Sequence, residues 1–211
     1  DVLKKYDVLL IADEVVTGFG RTGSMFGCDK YSINADIMTI AKGLTSAYAP
    51  LSGSIISDKV WSVLEQGTDE FGAIGHGWTY SAHPIGAAAG LANLAVLDNR
   101  RLINNAEESG DFLRAQIVRR LHNHNNVGEV RGVGMLVAVD LMKDRDEHEF
   151  FKPGAGVAAK VVEKMLGRGV IARAMPHSEI IGLAPPFCLN QNEADEIVGA
   201  LSNSIDDVLE A

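Results

Sequence analysis

The chain has 211 residues, of which 46% are hydrophobic, enough to bury a core in one or two domains. Its 28 acidic residues against 19 basic ones leave a net charge of −9, and no basic stripe is present, which argues against a nucleic-acid partner. No apolar run reaches about 18 residues and the opening does not read as a secretory leader, so no transmembrane helix is expected. Cys28 and Cys188 stand far apart without paired spacing, which points to a reducing, cytoplasmic compartment and no disulfide framework. The histidines, His76, His83, His122, His124, His148 and His177, have no HExxH or CxxC companion, so no metal site is expected.

Residues 1–6, Asp-Val-Leu-Lys-Lys-Tyr, read as the last turns of a helix, and the chain is expected to be the carboxyl-terminal half of a longer protein. Residues 8–12 form a continuous apolar run of strand length, buried on both faces if the sheet is parallel. Asp13 and Glu14 follow. Next comes Val15-Val-Thr-Gly18-Phe-Gly20-Arg21-Thr-Gly23, a glycine-rich loop able to approach a ligand closely. It is not the GxGxxG turn of a dinucleotide site. A second apolar run, residues 37–41, ends at Lys42 and Gly43.

Two strands thus carry an anion and a cation at their carboxyl ends, the edge where open α/β sheets bind ligands. A lysine in a desolvated pocket loses its proton more readily and becomes a nucleophilic amine. An Asp beside it suits a cofactor with a ring nitrogen, and pyridoxal phosphate needs both groups. The ordinary alternative is that each charge simply ends its strand in solvent.

Residues 45–52 read as loop and 53–57 as a short strand. Ser57 is placed to cap a helix over 58–65, with Asp58 in its first turn. Residues 66–77 form a second glycine-rich loop. Trp78-Thr79-Tyr80-Ser81 leads to His83 and Pro84, and Pro84 suits the first turn of a helix running to 97. That helix is rich in small residues, which permits close packing. Thr79, beside a helix start and a glycine loop, is placed to donate to a phosphate oxygen, or else is a plain turn residue.

Residues 104–122 are amphipathic, with Leu113, Ile117 and Leu121 on one face. The domain boundary is placed near residue 99, dividing the carboxyl-terminal part of a large domain over 1–99 from a small α/β domain over 100–211. In the latter, 127–142 read as a strand, a glycine bend and a longer strand. A charged loop covers 143–152. A helix over 156–168 stops at Gly169. Two short strands cover 170–174 and 179–184, with Pro185 and Pro186 ending the second. Asn190-Gln-Asn-Glu193 resembles a capping start for a last helix to 209.

Three segments together carry a family resemblance: Leu9-Leu-Ile-Ala-Asp13-Glu14-Val15-Val-Thr-Gly-Phe-Gly-Arg-Thr-Gly23, Asp36-Ile-Met-Thr-Ile-Ala-Lys42-Gly-Leu44, and Gly77-Trp-Thr79-Tyr-Ser-Ala-His-Pro84. In order and spacing the chain resembles class III (subgroup II) pyridoxal-phosphate aminotransferases, the ω-aminotransferase group of fold type I. The likeness extends through Arg173 and Ala184-Pro-Pro186 to the end.

The resemblance implies an α/β fold, comprising the carboxyl-terminal part of a large mixed-sheet domain plus a small α/β domain, and pyridoxal 5′-phosphate as cofactor. Lys42 would form the Schiff base and move the proton. Asp13 would hold the pyridine nitrogen protonated, and Val15 would pack on the ring. Thr79 would reach the phosphate held by the neighbouring subunit, with Trp78 beside that subunit's pocket, so a homodimer would share its active sites. Arg173 would bind a substrate carboxylate through two parallel hydrogen bonds; the plain reading is a strand-edge arginine in a surface pair. Arg21 is read as structural, and Glu14 receives no chemical role.

The implied reaction moves an amino group from an ω-amino acid or amine to an oxo acid, pyruvate in the first instance, in two ping-pong half-reactions. An aminomutase, racemase or decarboxylase on the same lysine, or a non-catalytic protein that kept the fold, are the alternatives. The family's other phosphate loop and its ring-stacking aromatic match nothing in this chain. The missing amino-terminal half of the same protein is therefore expected to accompany it.

Overall fold

A computed structural model describes residues 2–209. Asp1, the first residue of the expected opening helix, lies outside the described residues. The chain divides into two compact units, one ending at Ile103 and the other starting at Asn104.

The first unit opens with a single helical turn, α1 (Val2–Lys5), and β1 (Ile11–Asp13). The strand is shorter than the apolar run from 8 to 12. The N–H of Val8 is taken by Leu3 O, and that of Leu10 by the Asp36 carboxylate at 2.8 Å, so these residues are bonded outside the ladder. A four-residue helix, α2 (Gly27–Lys30), follows the glycine loop, and β2 (Ile37–Ile40) pairs parallel to β1. β3 (Gly53–Ile56) pairs antiparallel to β2, giving a mixed sheet in the order β1-β2-β3. Burial of β1 on both faces is not observed: Ile11 is 60% exposed. β1 is an edge of this sheet, and among the described residues no strand pairs with its outer side.

α3 (Asp58–Phe71) starts as expected, with Ser57 Oγ accepting the Val60 N–H at 3.4 Å. It overruns the expected end at 65 by more than a turn. Gly67 is accommodated inside it, and the stop comes at Gly72, whose φ of +83° is open to glycine. α4 (Pro84–Asn99) has Pro84 in its first turn and His83 Nδ1 accepting the Ile85 N–H. Among the described residues of this unit, Phe19, Cys28 and Leu97 are the apolar side chains that are buried.

The second unit has a conventional core. α5 (Leu102–Leu121) begins at the division and supplies Leu113, Ile117 and Leu121 from one face. β4 (Val127–Val133) and β5 (Leu136–Leu141) form a hairpin around Gly134, at φ +51°. α6 (Val157–Gly167) ends in hydrogen bonds from Gly169 N to Leu166 O and from Val170 N to Met165 O. The second of these holds Val170 to the helix end, so β6 (Arg173–Ala174) is shorter than the expected strand. β7 (Ile180–Leu183) completes an antiparallel sheet in the order β4-β5-β7-β6. α7 (Gln191–Leu209) starts in a reciprocal box: Asn190 N donates to Glu193 Oε2, and Glu193 N donates to Asn190 Oδ1. Val139, Val161, Met165, Ile181, Leu201 and Ile205 are fully buried between sheet and helices. No helix among the described residues is long and apolar enough to cross a membrane.

Candidate active site

Parallel pairing of β1 with β2 sets Asp13 opposite Thr39. Both strands therefore end at one edge, where Asp13 closes β1 and Lys42 opens a 3-10 turn (Lys42–Leu44) just past β2. Asp13 Oδ1 accepts the Val15 N–H at 3.1 Å and the Thr39 hydroxyl at 3.1 Å. Both bonds fall on one oxygen, so Oδ2 keeps its accepting capacity among the described residues.

The Lys42 side chain is exposed and makes no ion pair or hydrogen bond among the described residues. The desolvated pocket expected around it is not formed by those residues alone. Its φ is +37°, a backbone state that costs a non-glycine residue roughly 1–2 kcal/mol. Such a residue persists only where its neighbours hold it. The neighbours are visible. A Cβ on Gly43 would sit 3.1 Å from Gly18 O and 3.1 Å from Phe19 Cβ, so the lysine's turn lies directly against the glycine loop.

Glu14 fixes that loop. Its side chain is only 2% exposed, and it accepts the N–H of Gly27 at 2.9 Å, the N–H of Cys28 at 2.6 Å and the Thr17 hydroxyl. Burial alone would push this carboxyl up, but those three donors outweigh it and hold it below the ordinary range. Burial, followed by the hydrogen bond and charge of Glu14, pushes the Cys28 thiol up to about 11. Phe19 packs edge-on against Phe26 with ring centroids 5.3 Å apart. Burial lowers the pKa of Arg21. Sequence reasoning gave Glu14 no role, because its partners lie 13 and 14 residues away with no local motif to link them.

Val15 is half-buried next to Asp13. Trp78 and Thr79 occupy an exposed turn closed by Ser81 N donating to Trp78 O, with the Ser81 hydroxyl accepting the Trp78 N–H. Trp78 meets His76 edge-on at 4.8 Å. Neither Trp78 nor Thr79 bonds to Asp13 or Lys42 among the described residues. Arg173 lies in the second unit on β6, paired with Gly182. It is exposed and makes no ion pair among the described residues.

A cavity of about 660 Å³ in the second unit is lined by Phe151, Met175, His177 and Glu179, but by none of the expected site residues. Glu179 is committed to the start of α6, accepting the N–H groups of Gly156 at 2.8 Å and Ala158 at 2.6 Å. No group of His, Cys, Asp and Glu among the described residues is arranged to hold a metal ion.

Two strand ends thus set a carboxylate and a lysine at one sheet edge, beside a pinned glycine loop. The model of the family "Aminotransferase class-III" matches residues 1–205, and the chain belongs to that family, whose members use pyridoxal 5′-phosphate. The chain is 52% identical over 210 residues to a diaminobutyrate–2-oxoglutarate transaminase of Halomonas elongata, covering 100% of this chain and 45% of that protein. It is 38% identical to a putrescine–pyruvate aminotransferase of Pseudomonas aeruginosa, covering 98% and 44%. Among solved structures, one from a study of transaminases evolved by ancestral reconstruction superposes with a TM-score of 0.97 at 53% identity, covering 99% and 46%. A transaminase from the marine bacterium Virgibacillus superposes with a TM-score of 0.94 at 41% identity, covering 99% and 47%. The fold is accordingly fold type I. The chain spans a little under half the length of the relatives it matches.

Proposed function

We propose that this chain belongs to an aminotransferase that moves an amino group from an ω-amino acid or an amine to an oxo acid, with pyridoxal 5′-phosphate bound at the edge shared by β1 and β2. The observation that carries this reading is that Asp13 and Lys42 follow neighbouring parallel strands to the same sheet edge, each with a functional group still available among the described residues. Asp13 Oδ2 fits a protonated ring nitrogen, through a charge-assisted hydrogen bond. The unpaired amine of Lys42 fits an aldehyde. When bound, the cofactor supplies an electron-withdrawing ring that stabilises negative charge on the substrate carbon.

The chain's own groups do the rest. Asp13, held by Val15 N and Thr39 Oγ1, would offer its Oδ2 to the ring nitrogen. Lys42 Nζ would be the base that takes the proton from the substrate carbon and hands it on. Val15 packs against the ring. In a homodimer, Thr79 donates to the phosphate held by the other subunit and Trp78 borders that subunit's pocket. Their place in an exposed turn is compatible with a role across subunits. The remainder of the pocket belongs to the part of the relatives' length that this chain does not span. We place the protein in the cytoplasm, with lone cysteines as the support.

Arg173 presents a guanidinium with no partner among the described residues, suited to a substrate carboxylate. The relatives are named for diaminobutyrate, putrescine and γ-aminobutyrate, all compounds with a terminal amine, and this supports an ω-amine donor. Pyruvate is our first choice of acceptor, in ping-pong order.

The test is a panel of amine donors with pyruvate and 2-oxoglutarate, run with the complete protein. Equal consumption of donor and oxo acid is expected, with parallel double-reciprocal lines. Consumption of the amino compound alone would identify an aminomutase, racemase or decarboxylase instead, and no turnover with any donor would leave a non-catalytic protein. Arg173→Ala is expected to raise KM for carboxylate-bearing partners by roughly tenfold to a hundredfold while sparing simple amines.

A further inference from the structure

Asn93 is a polar residue on α4 within the apolar run Leu91-Ala-Asn-Leu-Ala-Val. Its side chain is half-buried and satisfied on both sides. Nδ2 donates to Gly43 O at 2.8 Å and to Leu44 O at 3.2 Å, while Oδ1 accepts the Ser46 hydroxyl at 2.8 Å. The partners fix the orientation of the amide, because a flipped group would set its oxygen against two carbonyls. All three partners belong to the turn that begins at Lys42 or to its continuation. Small residues let the helix come this close: a Cβ on Gly90 would meet Leu51 Cδ2 at 3.2 Å and Leu44 at 3.8 Å.

The opposite side of the turn is held as well. Gly43 abuts the loop at Gly18 and Phe19, and Thr45, buried, donates its hydroxyl to Ala49 O at 2.7 Å. The backbone at Lys42, in its unfavourable positive-φ state, is thus gripped between the glycine loop and Asn93. Ser46 and Ala47 also have positive φ, at +48° and +61°, so the turn does not take this shape by local preference.

We propose that Asn93 is a positioning residue for Lys42: its amide clamps the carbonyls of Gly43 and Leu44 and thereby sets where the lysine amine stands. The inference rests on the reading of Lys42 as the lysine that bonds the cofactor. A displacement of about 1 Å in a reacting group can cost roughly a hundredfold in rate, so a clamp of this kind bears on turnover more than on binding.

The test uses the complete, cofactor-loaded protein. Asn93→Asp keeps the shape and the acceptor for Ser46 but cannot donate to the two carbonyls. It is expected to lower kcat by about tenfold to a hundredfold with KM for the amine changed less than about threefold. It should also slow borohydride fixation of the cofactor on Lys42, and shift the pH at which the visible absorbance of the lysine-bound cofactor changes. Asn93→Ala, which leaves the carbonyls to water, serves if the acidic variant does not fold and should show the same pattern. Ser46→Ala, which spares both donated bonds, should move every reading less. A lower melting temperature with unchanged kcat, fixation rate and absorbance titration would make Asn93 a structural brace and overturn the proposal. If the unsubstituted protein shows no borohydride fixation on Lys42, the reading of Lys42 fails instead, and the two failures are distinct.

Discussion

Glu14 accepts the N–H of Cys28 at 2.6 Å across 14 residues of chain, and that bond closes the glycine loop on which the lysine's turn rests. Glu14→Gln keeps the shape but removes the charge and turns one acceptor into a donor facing other donors. We expect it to cost about 1–3 kcal/mol in urea unfolding of the complete protein. A loss below about 0.5 kcal/mol would show that the loop does not depend on the carboxylate.

The same residue sets an acid limit. The folded-state carboxyl of Glu14 lies below its ordinary value, so the unfolded chain takes up the proton first as pH falls. Its contribution is present above about pH 4.3, the unfolded value, and is lost as pH falls through the folded one. Stability measured from pH 7 to pH 3 should fall less steeply in Glu14→Gln than in the unsubstituted protein.

Cys28 gives the opposite sign. A thiol pushed up to about 11 stays neutral in the folded protein while the unfolded chain ionises near 8.5, so its contribution is present below about pH 8.5 and is lost as pH rises toward the folded value. Buried and protonated, Cys28 should resist alkylation at pH 8 and become labelled once denaturant is added. Mass spectrometry of the peptide containing residue 28 reads this directly, and rapid labelling under native conditions would contradict the burial.

Two helical glycines in the second unit should respond in opposite directions to alanine. A Cβ on Gly110 would come 2.1 Å from Gly134 O, where nothing can give without moving the β4–β5 turn. Nothing lies within 4 Å of a Cβ on Gly199 in α7. Gly110→Ala should cost about 2 kcal/mol or more through overpacking, whereas Gly199→Ala should gain about 0.5–1 kcal/mol from reduced freedom of the unfolded chain. Thermal melts of both variants check the pair.

Asp13 and Thr39 can be separated by substitution. Asp13→Asn removes the charge that would keep a ring nitrogen protonated and should lower kcat by roughly a hundredfold or more. Thr39→Val takes away one of the two bonds to Oδ1 and should cost about tenfold or less. Equal effects of the two changes would mean that the hydroxyl does more than steady the carboxylate.

The strand ends that carry Asp13 and Lys42 were legible in the sequence, because an apolar run stopped by a charge reads the same in one dimension as in three. The extent of α3 was not. Gly67 and Gly72 look alike as letters, and only the backbone state of Gly72 makes it the stop. The tasks of Glu14, Asn93 and Glu179 were hidden for a common reason. Each is defined by N–H or C=O groups 13 to 50 residues away, and residue type gives a side chain's hydrogen-bonding capacity but not which distant backbone group will meet it. The apolar sequence of β1 promised burial that the described residues do not provide, since a strand's composition does not say which neighbours cover it.

The measurement that bears most directly on the central claim is borohydride reduction of the complete protein loaded with pyridoxal 5′-phosphate, followed by peptide mass mapping. The account predicts a single reduced adduct on the Lys42 side chain, lost in Lys42→Ala together with turnover. An unmodified Lys42 in protein that nevertheless turns over, or a Lys42→Ala variant with undiminished activity, would contradict it.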